Sequence, residues 1–186
     1  MELSELCEKI APALGVPATE LAEIRRRLRE QSDAEELVGK RGRYGGLQAT
    51  PFNVGFVVAA LMVSSPTRAQ AAFDTWNVWH LNQEGSVLSE FIGENKIKLT
   101  LCPLTGEHLF GEAFKAILSR SELAKSVQCV RIAGERAEIQ YLHKKGEVKA
   151  SKFESRIPDS RMLRRVAELD GRVVRMIAAM LSATEA

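Results

Sequence analysis

Ile10, Leu14, Val16, Leu21 and Ile24 are spaced so that two short helices, joined at Gly15, can lay their apolar faces on each other. Nothing else in the chain constrains it as tightly. Two helices cross closely only where a small residue lets their backbones approach, and Ala11 stands at that place in the first helix. Glycine accepts the left-handed conformation that a sharp connection demands, so Gly15 belongs in the turn. The stretch Ile10 to Ile24 therefore has helix-turn-helix spacing, although an ordinary helical hairpin can carry the same residues. Pro12 departs from the pattern, because proline inside a regular helix removes a hydrogen bond and clashes with the preceding turn, at a cost of roughly 3 kcal/mol. Either the first helix is kinked there or a new short helix starts near Pro12.

Ser4 is the expected cap of the first helix, which runs to about Leu14, and Pro17 is expected in the first turn of a second helix ending near Gln31. Leu21, Ile24 and Leu28 make one stripe of that second helix, while Thr19, Ala22, Glu23, Arg26 and Glu30 fall on the opposite side. As a recognition helix it would turn Thr19, Ala22 and Arg26 to the major groove, with Arg25, Arg27 and Arg29 reaching phosphates. The alternative for the arginine run is a solvated helix surface, and Glu20 and Glu23 add to it, since carboxylates near DNA repel phosphates unless paired with arginine or reading a cytosine amino group.

Lys40-Arg41-Gly42-Arg43-Tyr44-Gly45-Gly46 places three positive charges and three glycines within seven residues. Such a loop is wing-like: Lys40, Arg41 and Arg43 would approach the DNA backbone, and Tyr44 adds a hydrogen bond to a phosphate or sugar. A basic cluster on each side of the link makes this reading more informative than either cluster alone.

Beyond the loop, Thr50-Pro51 opens a helix to about Ser64 that is apolar nearly all round, so it belongs at the centre of the fold or in a dimer interface. Ser65-Pro66-Thr67 is a second cap, before a helix with Ala71, Ala72, Phe73, Trp76 and Trp79. Residues 82–95 turn polar, which marks a candidate boundary. Ile97, Leu99 and Leu101 alternate with polar residues as in a half-buried strand. Leu109, Phe110, Ala113, Phe114, Ile117 and Leu118 define another helix face. Val127 to Ile132 and Ala137 to Leu142 flank Ala133-Gly134-Glu135-Arg136 as a hairpin, Val148 to Phe153 adds a third strand, and Met162 to Glu168 is a fourth strand or a helix. Asp170 caps a final helix to about Leu181. The expected fold class is α+β, with a helical, winged helix-turn-helix N-terminal region and then a small antiparallel sheet with helices. Its three parts are a DNA-binding region at 1–49, an apolar helical core or dimerisation region at 50–95, and an α+β domain at 96–186.

With 186 residues and 45% hydrophobic content the chain can bury a substantial core. A net charge of +2 is too mild to make the whole surface a nucleic-acid footprint, so DNA contact must come from the local clusters. Cys7, Cys102 and Cys129 are far apart and odd in number, and read as buried thiols of a reducing cytoplasm. No leader pattern begins the chain, and the longest apolar run, Val54 to Val63, is too short for a bilayer, so the expectation is a cytoplasmic protein without a membrane partner. His80, His108 and His143 stand on unrelated elements, and no catalytic triad order, zinc-ligand spacing or phosphate loop can be assembled. No enzyme, cofactor or metal site is therefore expected.

The order of these features, with the Ala49-Thr50-Pro51 helix opening and the later Leu109-Phe110-Gly111-Glu112-Ala113-Phe114 segment before a hairpin, resembles a group of phage and prophage proteins of alphaproteobacteria. The resemblance implies a phage-associated DNA-binding regulator, with no established reaction or ligand. Together these readings lead to a repressor that binds double-stranded DNA as a homodimer on a two-fold site. The alternative is a phage-encoded inhibitor that turns the same helix pair to a host or phage protein.

Overall fold

Apolar periodicity decides where the helices form, and two backbone tethers decide where the first of them begins. The computed structural model of the chain describes residues 1–31, 46–63, 71–84, 87–88, 97–98, 100–143, 146–155 and 166–185. Helix α1 spans Leu3–Leu14 and buries Leu3, Leu6, Cys7, Ile10 and Ala11. Ser4 is not its cap. The residue before the helix is Glu2, which makes no side-chain capping bond, and the Leu3 N–H is instead satisfied by the Leu47 carbonyl at 2.7 Å. With that orphan donor already paired, Ser4 lies inside the first turn and donates to the Glu2 carboxylate.

The helix runs unbroken through Pro12 to Leu14, so no new helix starts at the proline. Pro12 falls in the last turn, where the carbonyl left without a helical partner is that of exposed Glu8. Burial of Leu3, Leu6 and Ile10, at about 1.5–3 kcal/mol each, exceeds the roughly 3 kcal/mol that proline costs. Helix α2 spans Ala18–Gln31, one residue later than a start at Pro17, whose carbonyl accepts the Glu20 N–H.

Helix α3, Pro51–Val63, opens with a reciprocal cap. The Thr50 hydroxyl accepts the Asn53 N–H at 3.2 Å, and the Asn53 amide oxygen accepts the Thr50 N–H at 2.8 Å. Every residue from Asn53 to Ala60 is buried, which puts α3 at the centre of its own chain's core. Helix α4, Ala71–Trp79, packs on it. The Gln31 side-chain oxygen, at the end of α2, accepts the Ala72 N–H at the start of α4, 3.1 Å away. The expected cap at residues 65–67 lies outside the described residues.

Strands β1 (Asn82–Gln83), β2 (Val87–Leu88) and β3 (Ile97–Lys98) come next, then helices α5 (Phe110–Ser119) and α6 (Ser121–Ser126). Strands β4 (Val127–Ala133), β5 (Arg136–Leu142), β6 (Val148–Glu154) and β7 (Val166–Asp170) lead to helix α7 (Gly171–Glu185). The fold is α+β. Its main sheet is antiparallel in the order β1-β6-β5-β4-β7, and β2 pairs with β3. The expected strand through Leu101 is shorter than its alternation suggests: Leu99 lies outside the described residues and Leu101 is exposed coil.

Of the ambiguous segment from Met162 to Glu168, residues 162–165 lie outside the described residues, and the remainder is part of strand β7, which lies beside β4 rather than β6. Asp170 then caps α7, its carboxylate accepting the Arg172 N–H at 2.7 Å, and the helix continues past Leu181. One sheet face carries Val130, Ile132, Ile139, Phe153 and Leu169 into a core shared with α1, α3, α5 and α7. Residues of all three sequence segments contribute to that core. Cys7, Cys102 and Cys129 are free and buried. No described helix is long and apolar enough to cross a membrane.

Candidate nucleic-acid interface

The turn between α1 and α2 is built by backbone hydrogen bonds that need Gly15. At φ 69° and ψ 25° this residue is left-handed. Its N–H donates to the Pro12 carbonyl at 3.2 Å, and the Val16 N–H donates to the Ala11 carbonyl, also at 3.2 Å. Two such bonds around a left-handed glycine form a Schellman motif, which closes the last carbonyls of α1 and turns the chain sharply into α2. Ala11 is buried at the crossing, and Leu21, Ile24 and Leu28 anchor α2 from beneath with exposures of 0%, 1% and 1%.

That anchoring leaves a defined outer face. Thr19, Ala22, Arg26 and Arg29 are exposed on it together. Arg25 and Arg27 are half-buried on opposite flanks, 100° per residue having carried them round the helix. Arg25 lies beside Leu3, Leu28, Arg29, Leu47 and Val57 around a small cavity, with its Nε buried and without a hydrogen-bond partner among the described residues. It lies beside the foot of α1 and remains half-exposed.

Arg26 is not a free cation. Its Nη2 and Nε bond the Glu23 carboxylate at 2.7 and 2.8 Å, and its Nη1 bonds Glu30. Arg27 Nε reaches the same Glu23 at 2.8 Å. The hydrogen bonds from Arg26 and then Arg27 hold the Glu23 carboxyl down to about 2. Those from Glu23 and Glu30 push the Arg26 guanidinium further up. Reading a base with Arg26 therefore requires exchanging two intrahelical ion pairs for the new contact. The i+3 and i+4 spacings of Glu23, Arg26, Arg27 and Glu30 carry this clamp in the sequence itself.

Lys40, Arg41, Arg43 and Tyr44 lie outside the described residues. Just beyond them the chain is tied to the N-terminus. Gln48 pairs with Glu2 as an antiparallel bridge, and the Ala49 N–H donates to the Met1 carbonyl at 3.0 Å. Leu47 lines the same small cavity as Arg25 and Arg29. The chain thus returns from its basic segment at the C-terminal half of α2, on the side where Arg29 is exposed. Sequence reasoning missed this return, because Leu3, Leu47 and Ala49 have no local pattern that announces a pairing across 40 or more positions.

A second concavity, of about 360 Å³, lies over the sheet and is lined by Arg131, Arg136 and Lys152 against Glu84, Glu138 and Glu154. Its charges balance, so it lacks the electrostatics of a phosphate site. Among the described residues no group of three or more His, Cys, Asp or Glu side chains could hold a metal ion. His80 stacks on Trp76, with ring centroids 5.4 Å apart. Comparison with protein-family models, with curated proteins and with solved structures finds no match to this chain.

Proposed function

We propose that this chain is a DNA-binding transcriptional regulator, a phage-type repressor whose α1–α2 pair is a helix-turn-helix and whose dimer occupies a two-fold operator. One observation carries the reading: the Schellman turn and the buried Leu21, Ile24 and Leu28 present Thr19, Ala22, Arg26 and Arg29 together on a single exposed helix face. Arg26 supplies base specificity once DNA displaces its carboxylates, and Arg29 contacts phosphate. Lys40, Arg41 and Arg43 supply salt-dependent affinity that is alike for all sequences. Repression is steric, the bound protein occluding its operator.

The test is fluorescence anisotropy of the purified chain on a pool of genomic fragments, titrated with salt, followed by sequencing of the retained DNA. Enrichment of one palindromic site, with half-sites about one helical turn or a multiple apart and affinity that falls steeply with salt, is the expected result. Absence of binding at low salt removes the reading.

The Glu23–Arg26–Glu30 clamp favours a second reading, in which this face meets a protein as a phage-encoded inhibitor of a host regulator or defence complex. A helix face of alternating paired charges is as well suited to a mixed-charge protein surface as to phosphates.

A further inference from the structure

The face of the sheet turned away from the core carries a row of alternating charge. Glu168 of β7 stands opposite Arg131 of β4, Arg131 opposite Glu138 of β5, and Glu138 opposite Lys152 of β6. Within the row, Arg131 bonds Glu168 at 2.5 Å and lies 4.0 Å from Glu138. Lys152 is exposed and has no ion pair among the described residues, and Glu84, whose N–H donates to the Lys152 carbonyl at 2.7 Å, continues the row beyond β6. The same face carries Val166, Leu142 and Val148, which are 62%, 41% and 62% exposed, three of the five exposed large hydrophobic residues of the described chain.

Across β7, β4, β5 and β6 the row reads minus, plus, minus, plus, which is complementary to its own reverse, and Glu84 lies outside that four-strand overlap. A two-fold axis parallel to the strands, passing between β4 and β5, reverses the row. It sets Glu168 against Lys152 of a second copy, and Arg131 against Glu138 of that copy. An axis perpendicular to the strands would instead stack each charge on its like, so the row selects one symmetry. The neighbouring rows accept that choice. Asp170 and Ala150 occupy the two ends of one, and Val166 and Glu154 the ends of the other, so neither opposes like charges.

The geometry points to this sheet face as a homodimer interface, two copies packing sheet to sheet with their charge rows antiparallel. The inference goes beyond the DNA-binding reading and does not depend on it. It also gives the dimer a surface other than α3, which is buried in its own chain. Four strands about 4.8 Å apart and some six residues long span a patch of roughly 19 by 20 Å. That is small beside the ~800 Å² per partner of a standard stable interface, so the association is expected in the micromolar range.

The experiment is sedimentation of the full chain without DNA from about 1 to 200 μM, together with carbodiimide cross-linking and peptide mapping. A carbodiimide joins an amine to a carboxylate only in direct contact. Within one chain Lys152 and Glu168 are three strands, about 14 Å, apart, so a Lys152–Glu168 cross-link must join two copies. The expected results are a concentration-dependent dimer and that cross-link. In addition, Lys152→Glu should weaken the dimer by at least about ten-fold, and K152E/E168K should restore it, because the swap re-forms opposite charges across the axis. A monomer throughout, or a dimer without the cross-link, overturns the inference. The wild-type cross-link decides the matter even if a variant folds poorly, and a failure to bind DNA leaves it untouched.

Discussion

The five-membered ring of Trp79 lies over Gly111: a β-carbon on that glycine would come within 2.2 Å of Nε1 and 2.3 Å of Cδ1 and Cδ2. Trp79 is 2% exposed, and Phe52 and Phe56 stand at centroid distances of 5.4 and 5.3 Å, so the indole has nowhere to retreat. Gly111→Ala should therefore destabilise the fold by about 1–3 kcal/mol, the range for overpacking, although alanine is the better helix former by about 1 kcal/mol. Urea unfolding followed by tryptophan fluorescence measures this, and an unchanged midpoint would contradict the close approach.

Gly15 makes the opposite case. A β-carbon there meets nothing within 4 Å, so space is free and only the positive φ resists. Gly15→Ala should cost about 1–2 kcal/mol, and Gly15→Asn, which tolerates the left-handed region better, clearly less. Equal losses for the two variants would mean that the turn does not hold this conformation in solution.

Asn53 is 1% exposed and joins two elements. Besides its exchange with Thr50, its side-chain amide donates to the Gln48 carbonyl at 2.7 Å. Asn53→Ala should cost about 2 kcal/mol and Thr50→Ala about 1 kcal/mol, because only the first loses both the cap and the tether. Hydrogen exchange of the Leu3 and Ala49 amides should quicken in Asn53→Ala and change little in Thr50→Ala.

Elements with strong local periodicity were legible from the residues alone. The Leu21, Ile24 and Leu28 stripe, the Thr50-Pro51 opening and the Gly134-Glu135 hairpin all satisfy their requirements within a few positions. Placement across the chain was not legible. Nothing in Val166–Asp170 says that it joins β4 rather than β6, and nothing in Asn82–Gln83, both polar, announces an edge strand. Ser4 failed as a cap for the same reason, its task being taken by Leu47 from far along the chain. At the candidate interface, the exposed face of α2 followed from spacing, whereas the half-burial of Arg25 depended on Leu3 and Leu47, which meet it only in three dimensions.

Glu23 links this interface to pH. Its carboxyl is held at about 2 in the folded chain, below its ordinary 4.5, by the hydrogen bonds from Arg26 and Arg27. Because the folded value is depressed, the contribution of the clamp is present above pH 4.5 and is lost as pH falls toward about 2. A side-chain carboxyl NMR titration should show Glu23 as a low outlier that returns to the ordinary range in Arg26→Ala/Arg27→Ala. A normal titration in the wild type would show that the clamp is not held in solution.

The same carboxylate separates the two functional readings. In the DNA reading, Glu23 opposes binding twice, by repelling phosphates and by occupying Arg26. Glu23→Gln should then tighten DNA binding by about three- to ten-fold, and one added phosphate contact would steepen the salt slope by about 0.9. Arg41→Glu/Arg43→Glu should abolish binding while circular dichroism stays unchanged. In the protein-partner reading, Glu23 is a contact. Glu23→Gln should then weaken capture of the partner, and the Arg41/Arg43 reversal need not disturb it. Anisotropy on the selected operator, run on both variants between about 50 and 200 mM salt, distinguishes them. A folded Arg41→Glu/Arg43→Glu protein that retained full affinity and the same salt slope would end the DNA-binding reading.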